Sequence, residues 1–203
     1  MGLDVSEEHF YTSALATAEF LKKQAPGCSV YAIGEAGLAN RLYDAGITMN
    51  DVNPDYVVIG EGKSYALDTL TKATNLVLGG AKLIGANSDL IGPIENGITP
   101  ACRALIAPIE LATGKQAYFC GKPNPLMMHT RLNILGCHSG EAVMVGDRMD
   151  TDVISGMECG MCTILVMSGV SVRDTINIFS YRPTIVLDGV GDIVSIADAQ
   201  KNN

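Results

Sequence analysis

Short apolar runs of β-type composition alternate with helix-patterned segments along nearly the whole chain, and this alternation restricts the fold more than any other feature. Runs at 30–33, 56–60, 82–86, 117–120, 142–145, 163–166 and 184–187 read as strands. Between them, 14–23, 38–45, 64–78, 100–113, 125–135 and 151–157 read as helices, the first with Thr12 or Ser13 as its N-cap. A strand, a helix and a further strand in succession predict a parallel pairing, so the chain is expected to be α/β with a largely parallel sheet. Residues 112–116, Ala-Thr-Gly-Lys-Gln, end a helix on glycine and restart a strand. A domain boundary is expected there, with one α/β unit over 1–113 and a βαβαβ run over 114–203. The stretch 87–99, rich in Gly, Pro and Asn, reads as a loop long enough to be functional.

Charge narrows the partners. A net charge of −8 and a pI near 4.8, with no basic run longer than Lys22-Lys23, argue against nucleic acid, which needs clustered cations. The first residues are acidic and carry no apolar leader, and no stretch approaches the roughly 20 apolar residues that span a bilayer. The expectation is a cytoplasmic protein without a membrane partner. Cysteines at 28, 102, 120, 137, 159 and 162 lie in apolar surroundings and fit reduced, buried thiols. Cys159-Gly160-Met161-Cys162 has CxxC spacing but no second ligand pair, and is read as structural. His9, His129 and His138 are dispersed and nominate no metal site.

Two strand ends carry chemistry. In residues 142–152, Ala-Val-Met-Val-Gly-Asp-Arg-Met-Asp-Thr-Asp, an apolar strand meets a glycine turn and then carboxylates ahead of a helix. Open α/β sheets build sites at such carboxyl ends. Asp147 at the tip can offer a hard oxygen to Mg2+, and Asp152 can orient a metal water or a loop. Asp150, and in part Asp152, are also what a helix N-terminus favours on charge alone. Residues 118–125, Tyr-Phe-Cys-Gly-Lys-Pro-Asn-Pro, end a second strand in Gly121-Lys122. A lysine fixed there can neutralise a phosphate and the carboxylate attacking it. Asn87-Ser88-Asp89, after a third strand, offers substrate contacts through Asn87 and Asp89 or simply an Asx turn.

Gly121-Lys122-Pro123-Asn124-Pro125 followed by 146–152, Gly-Asp-Arg-Met-Asp-Thr-Asp, resembles the third and fourth motifs of the haloacid dehalogenase superfamily. Residues 10–14, 51–55 and 168–170 (Phe-Tyr-Thr-Ser-Ala, Asp-Val-Asn-Pro-Asp, Ser-Gly-Val) are similar to the NagD-like branch. The resemblance implies a Rossmann-like parallel-sheet core, here its C-terminal part, and a large α/β cap formed by roughly the first half of the chain. It further implies a Mg2+-dependent phosphatase working through an aspartyl phosphate, with small phosphorylated metabolites as substrates. Lys122 would neutralise the reacting centre, Asp147 would ligand Mg2+, Asp152 would support the site, and Gly121 and Gly146 would flank the phosphate loop. Nucleotide monophosphates, sugar phosphates, phosphoglycolate and pyridoxal phosphate all remain open.

Families of this kind open on a strand ending in Asp-x-Asp-Gly, the nucleophile and the general acid and base, and a second strand bearing a phosphate-binding hydroxyl. The chain is expected to begin beyond both. Residues 184–190, Thr-Ile-Val-Leu-Asp-Gly-Val, imitate the first but place Val186 at the nucleophile position. Phe10-Tyr11-Thr12-Ser13 imitates the second, where helix capping suffices. Gly60-Glu61-Gly62-Lys63-Ser64 imitates a P-loop but has Val57 where glycine is required. The expectations are therefore an isolated chain without phosphatase activity and, because strand edges would be bared, one that either self-associates, as a homo-oligomer, or is poorly stable, with the cap half more robust than 114–203. A non-catalytic phosphate- or metal-binding protein of the same fold is the alternative, and a shortened form of a complete phosphatase is a third reading.

Overall fold

The computed structural model describes residues 4–63 and 65–194, and the chain falls into two compact units, Met1–Gly121 and Lys122–Asn203. The first unit contains α1 (Ser13–Gln24), β1 (Ser29–Ile33), α2 (Ala36–Asp44), β2 (Thr48–Met49), β3 (Tyr56–Ile59), α3 (Leu67–Leu78), β4 (Lys82–Gly85), the hairpin β5 (Ile91–Ile94) and β6 (Gly97–Pro100), α4 (Cys102–Thr113) and β7 (Tyr118–Phe119). Five strands form one parallel sheet in the order β2-β1-β3-β4-β7.

Period-two alternation along the central strands divides their side chains between two cores. Val30, Val58 and Ile84 join Ala18 and Leu21 of α1 and Leu38 and Leu42 of α2 on one face. Val57, Ile59 and Leu83 join Ala73 and Val77 of α3 and Cys102, Ile106 and Ile109 of α4 on the other. All four β3 residues are buried, so the strand is apolar without interruption, as a parallel strand covered on both faces must be. Each fully buried aliphatic side chain here contributes on the order of 1.5–3 kcal/mol. Thr12 caps α1 by accepting from the Leu15 N–H at 3.3 Å, and Gly114, at φ 68°, ends α4 in the left-handed conformation. The chain leaves β1 through α2 toward β2 on one side and leaves β3 through α3 toward β4 on the other. The connections therefore diverge between β1 and β3.

The second unit has α5 (Pro125–Leu135), β8 (Val143–Gly146), α6 (Ile154–Glu158), β9 (Cys162–Val166), α7 (Arg173–Ile176) and β10 (Ile185–Leu187), its strands parallel in the order β10-β9-β8. Asn124 caps α5 on the Leu126 N–H with Pro125 in the first turn, and Gly136 ends it at φ 69°. Gly156 lets α6 lie directly on the sheet: a Cβ there would come within 2.5 Å of Thr163 Cγ2. Met149, Val153 and Leu165 form its small core, joined by Ile176, Phe179 and Tyr181.

Four expectations change. The stretch 87–99 is not a plain loop: β5 and β6 pair antiparallel around the two-residue turn Glu95-Asn96. The helix expected over 64–78 begins at Leu67, and Ser64, with the P-loop imitation it completes, lies outside the described residues. The segment expected as one helix over 151–157 is a wide π-type turn, Met149–Val153, running into the short α6. The strand at Tyr118–Phe119 pairs with β4 in the first unit's sheet.

Candidate active site

Both motif strands end where a helix or turn must begin, and in the second unit this brings three of the nominated side chains into one neighbourhood. Lys122 is its first residue, after β7, followed by a cis peptide to Pro123. Its ammonium donates to Asp152 Oδ1 at 2.6 Å. Asp152 is 4% exposed, and its second oxygen accepts from the Arg148 N–H at 3.1 Å. Both carboxylate oxygens are thus engaged, one by a backbone group adjoining Asp147 and one by the lysine. The buried carboxylate fixes where the half-exposed cation points.

Asp147 follows Gly146, the last residue of β8, and is held from the far side by the loop after β9. Its Oδ2 accepts from the Val170 N–H at 2.7 Å, and its carbonyl accepts from the Ser171 N–H at 3.0 Å. Two glycines make room for the two carboxylates. A Cβ on Gly146 would stand 2.2 Å from Asp152 Cγ, and one on Gly169 would stand 2.0 Å from Asp147 Oδ2. The π-type turn places Asp150 outward, where Arg148 grips it through Nε at 3.1 Å and Nη2 at 2.9 Å. Tyr181 braces the same turn by donating to the Met149 carbonyl at 2.9 Å. Burial, and then the nearby Asp150 and Glu158 carboxylates, push the Tyr181 phenol up, so it remains a donor.

The donor set fits Mg2+ in one specific way. Asp147 presents a carboxylate oxygen that no described protein donor takes, whereas Asp152 has none to spare. Among the described residues no group of three or more His, Cys, Asp or Glu side chains could cage a metal. One carboxylate, with waters and a substrate phosphate completing the shell, is the arrangement Mg2+ accepts and softer metals do not favour.

Asn87 and Asp89 belong to the first unit, beyond the end of β4. The Asn87 amide nitrogen donates to Asp89 Oδ2 at 2.6 Å and to Glu61 Oε1 at 2.8 Å. Gly121 closes that unit, its N–H donating to the Ala86 carbonyl at 2.7 Å, and a Cβ there would meet that oxygen at 2.6 Å. Sequence reasoning left out the groups that hold Asp147 and the π-type turn: the N–H groups of Val170 and Ser171, and Tyr181. Backbone donors carry no side-chain signature. Gly169 was the one usable hint, as a residue whose missing side chain lets a neighbour approach.

A lysine paired with a buried carboxylate, close in the chain to an aspartate at the tip of β8, is a set of groups suited to holding a phosphate. Comparison with known proteins defines it further. Residues 119–193 match the family described as HAD-hydrolase-like, and residues 1–48 match the haloacid dehalogenase-like hydrolase family. The chain is 47% identical over 197 residues to dihydroxyacetone phosphatase of Corynebacterium glutamicum, covering 97% of this chain and 72% of that protein. It is 44% identical over 192 residues to the ribonucleotide monophosphatase NagD of Escherichia coli, covering 95% and 75%. The solved 4-nitrophenylphosphatase of Thermotoga maritima superposes with a TM-score of 0.91 at 31% identity, over 96% of this chain and 75% of that one. The chain belongs to the haloacid dehalogenase superfamily, in its NagD-like phosphatase branch. Among the described residues no helix is long and apolar enough to cross a membrane.

Proposed function

We propose that this chain carries the cation, the metal-ligating aspartate and the cap of a phosphomonoester hydrolase acting on small hydroxylated phosphate esters. The observation that carries the reading is the Lys122–Asp152 pair beside Asp147. A cation is held rigid by a buried carboxylate, with an uncommitted carboxylate oxygen next in the chain to the group that anchors it. Relatives named for dihydroxyacetone, ribonucleotide and sugar phosphatase activities support the substrate class.

Lys122 neutralises the phosphoryl oxygens as negative charge gathers on them during attack and departure. Asp152 keeps its ammonium in place, so no reorganisation is needed at that moment, which makes Asp152 a positioning residue. Asp147 would hold Mg2+, which when bound supplies charge neutralisation and orientation of the phosphate. Asn87 and Asp89 stand as the residues reading the organic part of the substrate. The phrase Asp-x-Asp-Gly does not occur in the 203 residues, and on this proposal the attacking carboxylate of the aspartyl-phosphate route is not among them. The chain by itself is accordingly proposed to be inactive. The cytoplasmic setting is part of the same proposal.

The test is phosphate release from dihydroxyacetone phosphate, ribonucleoside monophosphates and para-nitrophenyl phosphate with Mg2+. The chain is assayed alone and with a strand ending in Asp-x-Asp-Gly, then a hydroxyl-bearing strand, joined ahead of Met1. The chain alone should give background. The completed protein should turn over, and Lys122→Met should lower its kcat about 100-fold or more, as loss of a charge-stabilising donor does. Asp147→Asn should weaken activation by Mg2+. A completed protein in which Lys122→Met changes kcat less than about threefold refutes the assignment. Turnover by the chain alone refutes its proposed inactivity, and an inactive chain that binds phosphate no better than its Lys122→Met variant rules out the non-catalytic alternative.

A further inference from the structure

The first unit has a crevice of about 530 Å3 at the amino ends of β1, β3 and β4, the end of the sheet opposite Asn87. That volume lies within the roughly 300–1,000 Å3 usual for small-molecule sites. Three loops wall it: the turn from α1 to β1 with Pro26 and Cys28, the approach to β3 with Asn53 and Asp55, and the turn from α3 to β4 with Gly80 and Lys82. A helix that precedes a strand of a parallel sheet returns antiparallel to it, so α1 and α3 both bring their carboxyl ends here. The last turn of α1 carries Lys22 and Lys23, but that of α3 has no basic residue, and the negative end of its dipole is left uncompensated by its own side chains.

Two side chains of opposite charge border this space without meeting. The Lys82 N–H donates to the Asp55 carbonyl at 3.0 Å, so the two residues adjoin. The Lys82 ammonium nevertheless lies over the Tyr56 ring, 5.5 Å from its centroid, and makes no ion pair among the described residues. Asp55 gives its Oδ2 to the Ser29 N–H at 2.7 Å and the Ser29 hydroxyl at 2.9 Å, while its Oδ1 has no protein donor among the described residues. The Asn53 side-chain amide, able to give and to take, is also without a protein partner there. A carboxylate entering alone would gain Lys82 but meet Asp55 and the end of α3. An ammonium entering alone would gain those two but meet Lys82. A molecule bearing both charges a few ångströms apart answers each with its opposite.

We propose that this crevice binds a free α-amino acid, its carboxylate on Lys82 and its ammonium on Asp55 Oδ1 beside the carboxyl end of α3. The inference rests on the first unit alone and uses none of the residues of the hydrolase reading, so the two stand or fall separately.

The experiment is titration of the 203-residue chain with L-alanine, followed through the backbone amide resonances. Saturable shifts are expected at Gly27, Cys28, Gly80 and Ala81, with Kd on the order of millimolar, the range open to so small a ligand. N-acetyl-L-alanine, which lacks the ammonium, and L-alaninamide, which lacks the carboxylate, should each bind at least about tenfold more weakly, as loss of one charged hydrogen bond predicts. Lys82→Met, at an exposed position, should weaken L-alanine by a similar factor. Asn53→Trp should abolish binding by filling the crevice, and its thermal melting shows whether it is folded; if it is not, Lys82→Met decides. Absence of saturation, shifts confined to Glu61 and Asn87 at the other end of the sheet, equal binding of either one-charge analogue, or undiminished binding by Lys82→Met would overturn the inference.

Discussion

Asp55 shows how one side chain can tie the first unit to a pH window. Its carboxylate accepts from the Ser29 N–H at 2.7 Å and the Ser29 hydroxyl at 2.9 Å, fastening the loop before β3 to the start of β1. Those bonds, the backbone one foremost, hold its pKa below the usual carboxylate range. A depressed folded pKa means that the stabilisation is complete above the unfolded value, near 4, and disappears as pH falls through the folded one. Asp55→Asn should therefore melt below the wild type at pH 7, and the gap should close as denaturation is repeated toward pH 3. A gap that is unchanged or wider at pH 3 would show that the carboxylate's charge is not what matters. At this scale the sequence was legible where a residue's chemistry and its place coincide. Lys122 and Asp147 follow apolar strands and a glycine, and that order alone marked them. Tyr181 was not legible, because its partner is a backbone carbonyl thirty-odd residues away that nothing in its own neighbourhood announces.

Among the elements, α4 and β7 are joined by a residue that sequence patterning would put on the surface. Glu110, in the last part of α4, is 6% exposed, accepts from the Ala117 N–H at 2.8 Å through Oε1, and is paired with Arg103 through Oε2. Arg103 in turn lies over the Phe119 ring at 5.3 Å. Removing one partner of such a pair strands the other and unsatisfies an N–H, so Glu110→Ala should cost about 2–3 kcal/mol, somewhat below the fully buried case because Arg103 is part exposed. Urea unfolding would measure it, and a loss under about 0.5 kcal/mol would make the pair a surface one. Long elements were legible from period and caps, as Thr12 and Asn124 show. The hairpin was not, because Ile91-Gly92-Pro93-Ile94 and Gly97-Ile98-Thr99-Pro100 each carry a glycine and a proline that break a strand pattern, although Asn96-Gly97 was a turn signal in plain view. The π-type turn at Met149–Val153 has no compositional mark, since it differs from a helix by one residue per turn.

For the molecule as a whole, the sheet of the second unit poses a question of edges. β8 pairs with β9 on one side and with no other described strand, and Val143 and Val145 are 52% and 38% exposed. An apolar strand presented this way pairs readily with another. The 203-residue chain is expected to self-associate at micromolar concentration in sedimentation velocity, and Val145→Lys should shift it toward monomer. A strictly monomeric wild type would contradict this. Which sheet a strand joins was the least legible property, because parallel strands of similar composition are told apart only by their neighbours. Tyr118–Phe119 was expected beyond a boundary at Gly114, yet its hydrogen bonds go to β4.

The two cores of the first unit have one more implication. Every residue of both clusters lies between Ala18 and Cys120, an uninterrupted stretch of sequence. Both cores are thus closed by one continuous length of chain, so that stretch should keep its packing when moved as a single piece into another sequence.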